Sequence, residues 1–272
     1  MLATGGMSAT LAIKLIDRTY DSQIRQLADT AQHKRAIEAF RSKIADVRTV
    51  DDLVSDYETY SFVMKAFDLE SQIFGKGLIR KMLSGDPLDK TALVNRLTDS
   101  RFRELFEAMG FSDGGSTTQN TLSPVWQEKM VDRYLEQTFI NRQSDQNLPV
   151  GTVLEFRQKA GQITTWFSVL KDPELTEFMR TALGLPDNLS GLDVDKQAAL
   201  LQKRFDIARL QDPAEQNKLV HRYLALSDAR TAVANSASNP LLQLMGGSGR
   251  GEFVPVTIDI TAISRLKSFP YR

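Results

Sequence analysis

Asp56-Tyr-Glu-Thr-Tyr-Ser-Phe62-Val-Met-Lys-Ala66-Phe67-Asp68-Leu69 and Asp172-Pro-Glu-Leu-Thr-Glu-Phe178-Met-Arg-Thr-Ala182-Leu183-Gly184-Leu185 stand 116 residues apart in a chain of 272. They coincide without a gap at Asp56/Asp172, Glu58/Glu174, Phe62/Phe178, Ala66/Ala182 and Leu69/Leu185. Each begins with a carboxylate suited to cap a helix and ends near a residue suited to stop one. Internal repeats of this kind set the architecture before any local detail does. The expectation is an all-α, multi-helix bundle with an internal pseudo-twofold duplication of a helical unit.

Working outward, Asp89-Lys90 followed by Ala92-Leu93-Val94 answers Asp195-Lys196 followed by Ala199-Leu200-Leu201, and Leu97-Thr98-Asp99 answers Leu210-Gln211-Asp212. The order is the same in both halves, which places the repeat units at about 56–111 and 172–226. Asp86-Pro87, Asp172-Pro173 and Asp212-Pro213 each read as an N-cap before a first-position proline, and Glu215 would complete a capping box with Asp212. Gly110-Phe111 and Gly184-Leu185 read as left-handed stops; Asp68-Leu69 takes that role less comfortably. These acids are therefore read as caps, not catalysts.

Upstream, Ile13, Ile16, Tyr20, Ile24, Leu27 and Ala31, then Ile37, Phe40, Ile44 and Val47, recur at three- and four-residue steps. That period predicts one long amphipathic helix over about 9–47, or two with a bend near His33. Ile37, Phe40, Ile44 and Val47 keep heptad spacing, but a register sustained over several heptads is missing, so packing on the chain's own core is favoured over assembly.

Between the units, Ser112 to Ser123 is expected to be a mobile polar connector. Ser123-Pro124 opens a helix to about Arg142 with Trp126, Met130, Tyr134 and Phe139 inward, and a further helix is expected over about 152–170, with Trp166 and Phe167 in the core. The charged stripe Glu128, Lys129, Asp132, Arg133, Glu136 reads as a solvated helix face.

At the ends, Gly5-Gly6 before Met7-Ser8 reads as an upstream start or an appended remnant, with Met7 the expected initiator. Residues 1–8 are expected to be disordered, 9–245 to form a single all-helical domain, and 246–272 to be a Gly-rich linker and tail. Within the tail, Val254, Val256, Ile258 and Ile260 alternate with polar residues and Pro255, so a short extended C-terminal segment is expected, lying on its own chain or on another.

Composition removes several functions. The 34 basic and 34 acidic residues cancel, which gives no global pull toward nucleic acid. Cysteine is absent, so thiol catalysis, disulfides and Cys-ligated metals are excluded. No apolar run reaches the ~20 residues that span a bilayer. The two histidines, His33 and His221, lack the Glu-x-x-His spacing of a di-iron bundle and are expected to be solvated or capping. Gly75-Lys76-Gly77 and the Gly246 to Gly251 stretch lack the full phosphate-loop pattern. No catalytic, cofactor-binding or metal-ligating residue is assigned, and no cofactor is expected.

Val63-Met64-Lys65-Ala66-Phe67-Asp68-Leu69, with Val50-Asp51-Asp52-Leu53 before it and Asn95-Arg96-Leu97-Thr98-Asp99 after it, resembles an alphaproteobacterial family of a domain of unknown function, commonly encoded among flagellar genes. The resemblance runs from about Ser8 to Leu226 and includes Gly184-Leu185-Pro186 and Lys203-Arg204-Phe205-Asp206-Ile207. That family typically has Gly where this chain has Asp68. The resemblance implies a non-enzymatic structural or interaction protein of the flagellum, acting in assembly, export or motility with flagellar protein partners. Its expected place is cytoplasmic, or exported to the flagellum by a Sec-independent route. The alternative is a ligand-binding sensor or enzyme with a pocket at the junction of the two units.

Overall fold

The computed structural model describes residues 2–186, 188 and 191–238. Residues 1–228 form one compact unit and 229–272 a second, of which 229–238 are described, as the end of a helix. The expected single domain 9–245 runs past the last described residue, and the linker, tail and extended segment of 246–272 lie outside the described residues.

The protein is all-α. Its helices are α1 (Ala9–Ala28), α2 (Ala31–Lys43), α3 (Val50–Ser55), α4 (Tyr57–Ala66), α5 (Lys76–Leu83), α6 (Leu93–Arg96), α7 (Ser100–Met109), α8 (Pro124–Gln146), α9 (Leu148–Ala160), α10 (Trp166–Leu170), α11 (Pro173–Ala182), α12 (Val194–Arg204) and α13 (Pro213–Ser238). Among the described residues the only extended pairing is an isolated bridge between Ser112 and Thr117. No described helix is long and apolar enough to cross a membrane.

Of the two arrangements expected over about 9–47, one long helix or two with a bend near His33, the second is found, and the break falls at Asp29-Thr30. The expected disorder of 1–8 is corrected for residues 2–8. Thr4 is fully buried, its N–H donates to Gln146 and its hydroxyl to Gln143, and the Leu2 N–H donates to Gln23. Ser8 then caps α1.

The helix expected over about 152–170 is also two, α9 and α10, separated by a turn at Gly161-Gln162. Trp166 is buried as expected, but Phe167, one residue on, is 49% exposed. The Ser112–Ser123 connector is not a loose strap. Its 3₁₀ turns at Asp113–Gly115 and Asn120–Leu122 bury Thr118 and Thr121, whose hydroxyls donate to the Met109 and Val47 carbonyls.

Two aromatic stacks organise the core. In the first, Phe40 of α2 stacks on Phe62 of α4 at 4.3 Å, and Phe62 stacks on Tyr134 of α8 at 4.1 Å. In the second, Phe156 of α9 stacks on Phe178 of α11 at 3.9 Å, and Phe178 meets Tyr223 of α13 at 4.8 Å. Such pairs stabilise by about 0.5–1.5 kcal/mol beyond their buried area.

The likeness continues at the helix ends. Asp56 caps α4 and Asp172 caps α11 by accepting first-turn N–H groups, and Thr49 and Thr165 cap the preceding short helices α3 and α10. Asp68 (φ 54°) and Gly184 (φ 66°) are both left-handed. The Leu69 N–H donates to Met64 and the Leu185 N–H to Arg180, the 6→1 bond of a Schellman stop in each case.

Matching elements therefore begin upstream of Asp56, at α2 and α9. Downstream they diverge. Asp89 lies in a turn, where Asp195 lies in the first turn of α12. Asp99 and Asp212 both cap helices, but through Tyr223 the helix after Asp212 packs as α8 does, not as α7 does.

Other caps are corrected. Asp86-Pro87 starts no helix; Asp86 accepts the Leu88 N–H and closes a turn. Glu215 makes no capping box, because Arg209 and Lys218 take its carboxylate. A full capping box forms instead between Thr49 and Asp52.

Candidate functional site

A cleft of about 350 Å³ opens where the α7 and α11 N-termini approach α9 and the Asp68 turn, the place at which a junction of two repeat units is expected. Local chemistry puts each side chain there. Asp99 caps α7 and Asp172 caps α11, because a short acidic side chain can accept the first-turn N–H groups that the helix leaves unpaired. Glu155 and Lys159 stand one turn apart on α9, so both reach the same wall.

Two charge clusters line the cleft. In one, Lys159 Nζ donates to Glu155 Oε1 and, at 2.6 Å, to Asp172 Oδ2, with all three side chains largely buried. Burial pushes the Glu155 carboxyl above its ordinary value against the pull of Lys159. Burial also acts to lower the Lys159 ammonium, yet Glu155 and Asp172 outweigh it and hold Lys159 above the usual lysine range.

In the other, Arg101 forks onto both oxygens of Asp99, and its Nη1 donates to the Asp68 carboxylate at 2.6 Å and to the Asp68 carbonyl at 2.8 Å. Hydrogen bonds from Asp99, with the Asp99 and Asp68 charges, raise Arg101 further despite its burial. At Asp99 burial is outweighed by Arg101, so its carboxyl sits below the usual range. Asn141 completes the second Asp68 oxygen at 2.8 Å.

This arrangement fastens helices together. Each cation, the largely buried Lys159 and the half-buried Arg101, meets two carboxylates, which compensates the cost of taking the charges out of water. Lys171 and Glu174 at the mouth remain as charges with no ion-pair partner among the described residues.

Other residues singled out from sequence sit elsewhere. His33, expected to be solvated or capping, is buried, and its Nδ1 lies 2.8 Å from the Tyr134 hydroxyl. Burial first, then Arg142 and Lys65, lowers its pKa. His221 is exposed, as expected. Lys76, between Gly75 and Gly77, donates to the Val54 carbonyl at 2.9 Å and lies over the Tyr60 ring, a packing role. Arg133, expected on a solvated face, instead lies 4.1 Å from the Phe67 ring centroid, donates to the Ala66 carbonyl and pairs with Glu104. Among the described residues no cluster of His, Asp and Glu could hold a metal ion.

Sequence reasoning assigned no site. The Glu155/Lys159 spacing was readable as a helical pair, but the link from Arg101 to Asp68 spans 33 residues and has no local signal.

With this geometry in view, the chain can be set beside known proteins. A family described as a protein of unknown function (DUF1217) matches residues 66–215. A crystal structure of a protein from Agrobacterium tumefaciens is similar, with a TM-score of 0.72 and 30% identity, over 83% of this chain and 95% of that one. No curated protein matches.

Proposed function

We propose, for a chain that belongs to the DUF1217 family of proteins of unknown function, a non-enzymatic role as a structural or interaction protein of the bacterial flagellum. The observation that carries the non-enzymatic part is the pairing of Lys159 and Arg101 with four carboxylates in the junction cleft. Lys159 is held by Glu155 and Asp172, and Arg101 by Asp99 and Asp68, so these groups clamp α7, α9 and α11 instead of standing free for proton transfer. The flagellar part rests on the resemblance carried by Val50 to Leu53, Val63 to Leu69 and Asn95 to Asp99. The paired stacks Phe40/Phe62 and Phe156/Phe178, with their matched caps, support reading the chain as an internal pseudo-twofold duplication.

The test is a chromosomal deletion scored for swimming, combined with fractionation of the tagged protein. Lost swimming, with the protein in the flagellar fraction, is the expected result. A cytoplasmic protein with lost swimming would point to export or assembly from inside the cell. Normal swimming would overturn the flagellar reading.

A second reading, small-ligand binding in the junction cleft, is favoured by its volume of about 350 Å³ and by the polar groups that converge there from both units. A thermal-shift screen of charged metabolites tests it. A stabilisation abolished by Lys171→Ala with Glu174→Ala is expected on this reading, and a screen without such a response rejects it.

A further inference from the structure

Away from the junction, α1, α8 and α9 enclose a groove. Two adjoining cavities of about 320 and 440 Å³ run along it and share Tyr20 and Glu136. The floor is apolar: Ile16, Ile140 and Leu154 are buried, and Tyr20 and Ile24 are half-buried, with the Tyr20 ring set edge-on against Phe139 at 5.4 Å. The rim is acidic. Asp21 on α1, and Asp132 and Glu136 on α8, have no ion-pair partner among the described residues, whereas Asp17 at one end is taken by Arg157 at 2.6 Å. Arg25 is the one other cation in the lining.

The three free acids converge on one spot. The Tyr20 hydroxyl is pushed up to about 12, by burial first and then by Glu136, Asp21 and Asp132 together. Three acids and one cation, Arg25, line that cavity, so it carries an excess of negative charge, although the chain as a whole is neutral. An apolar floor with a fixed negative rim repels acidic partners and attracts a ligand that is apolar on one side and cationic on the other. A helix with apolar residues at i, i+3, i+4 and i+7 and basic residues on its flanks presents two such sides.

We infer that the Tyr20 groove of α1, α8 and α9 docks a basic amphipathic helix of a partner protein, its apolar side chains on Tyr20 and Ile24 and its Lys or Arg residues between Asp21, Asp132 and Glu136. This deepens the interaction reading above and rests on it for its biological setting, while its test does not depend on swimming.

The probe is a fluorescein-labelled, 14-residue Lys/Leu peptide with Leu at helical spacing, titrated by anisotropy with the full chain; a Glu/Leu peptide of the same Leu pattern is the comparison. The Lys/Leu peptide is expected to bind, more weakly at about 300 mM than at about 50 mM salt. Asp21→Asn with Asp132→Asn and Glu136→Gln should weaken it about tenfold with helical content unchanged. Asp29→Asn with Glu38→Gln and Asp46→Asn, the same charge change elsewhere, should leave it unaltered.

Absence of binding by the wild-type chain, equal loss in the two triple variants, or equal binding of the Glu/Leu peptide overturns the inference. So does a dimer in sedimentation that the first triple variant dissociates, since a second copy would then be the occupant. A failed titration beside a non-swimming deletion would remove the groove and keep the flagellar role.

Discussion

The Asp228 carboxylate of α13 accepts the N–H of Ala9 at 2.7 Å and of Thr10 at 3.1 Å, so the first helix is capped by a residue 219 positions away. The first turn of α1 holds no acidic residue, and Asp228 supplies the negative charge that a helix N-terminus favours. The Thr10 hydroxyl donates to the same carboxylate at 2.6 Å. Asp228→Ala should cost about 1–2 kcal/mol, and Asp228→Asn, which keeps one acceptor, less. Thermal unfolding of both variants checks this, and equal Tm values for Asp228→Ala and wild type would remove the cap from the account.

Lys159 tests the clamp. Lys159→Met keeps most of the packing volume but leaves Glu155 and Asp172 facing one another in a largely buried site. Removing one partner of a buried pair costs about 3–5 kcal/mol, which for a domain of this size lowers Tm by roughly 6–20 °C. Adding Glu155→Gln to Lys159→Met should recover part of that loss. A double variant no more stable than the single one would mean that unpaired charge is not the cause.

Asp68 separates backbone from side chain. Both Asp68→Gly and Asp68→Ala delete the carboxylate's bonds to Arg101 and Asn141 and keep the carbonyl's bond to Arg101, but only glycine adopts φ 54° without strain. The alanine variant should therefore be about 1–2 kcal/mol less stable than the glycine variant, measured by chemical denaturation. Equal stabilities would show that the turn relaxes away from the left-handed conformation.

These three sites show what was readable in advance. Asp56, Asp172, Ser123, Gly110 and Gly184 act within one turn of themselves, so their residue types and spacing sufficed. The period of α1 and α2 was equally local, since each buries one face. His33 with Tyr134, Asp228 with Ala9 and Arg101 with Asp68 join segments 101, 219 and 33 residues apart. Polar pairs of that kind have no periodicity, and burial, which decides their worth, follows only from the assembled helices. The same reason hid the junction cleft, although the two matched stretches that lend it Asp68 and Asp172 were visible.

Gly151 measures how closely α8 and α9 approach across a single linking residue, Asn147. A Cβ at Gly151 would stand 2.4 Å from Ser144 Cβ and 2.6 Å from Ser144 Cα, so the two backbones must part. Gly151→Ala is expected to destabilise by about 1–3 kcal/mol despite alanine's better helix propensity. Unfolding at an unchanged denaturant midpoint would refute this close approach.

His33 gives stability a pH dependence of definite sign. The unfolded chain protonates near the ordinary value of 6.5, while burial, with Arg142 and Lys65, lowers the value in the folded protein. Below about 6.5 the unfolded state therefore takes up a proton that the folded state resists, and stability falls as pH falls. The full contribution is present above 6.5 and is lost as the pH drops toward the folded value. Glu155, raised by burial, works in the opposite direction, and Asp52, Asp56 and Asp99, all lowered, act only near and below their ordinary 3.8. The decisive comparison is consequently between wild type and His33→Gln, which removes the titration and can still hydrogen-bond the Tyr134 hydroxyl. Between about pH 5 and 7 the Tm of wild type should fall more steeply with acid than that of His33→Gln. Parallel curves would mean that the buried His33–Tyr134 contact does not carry the pH response.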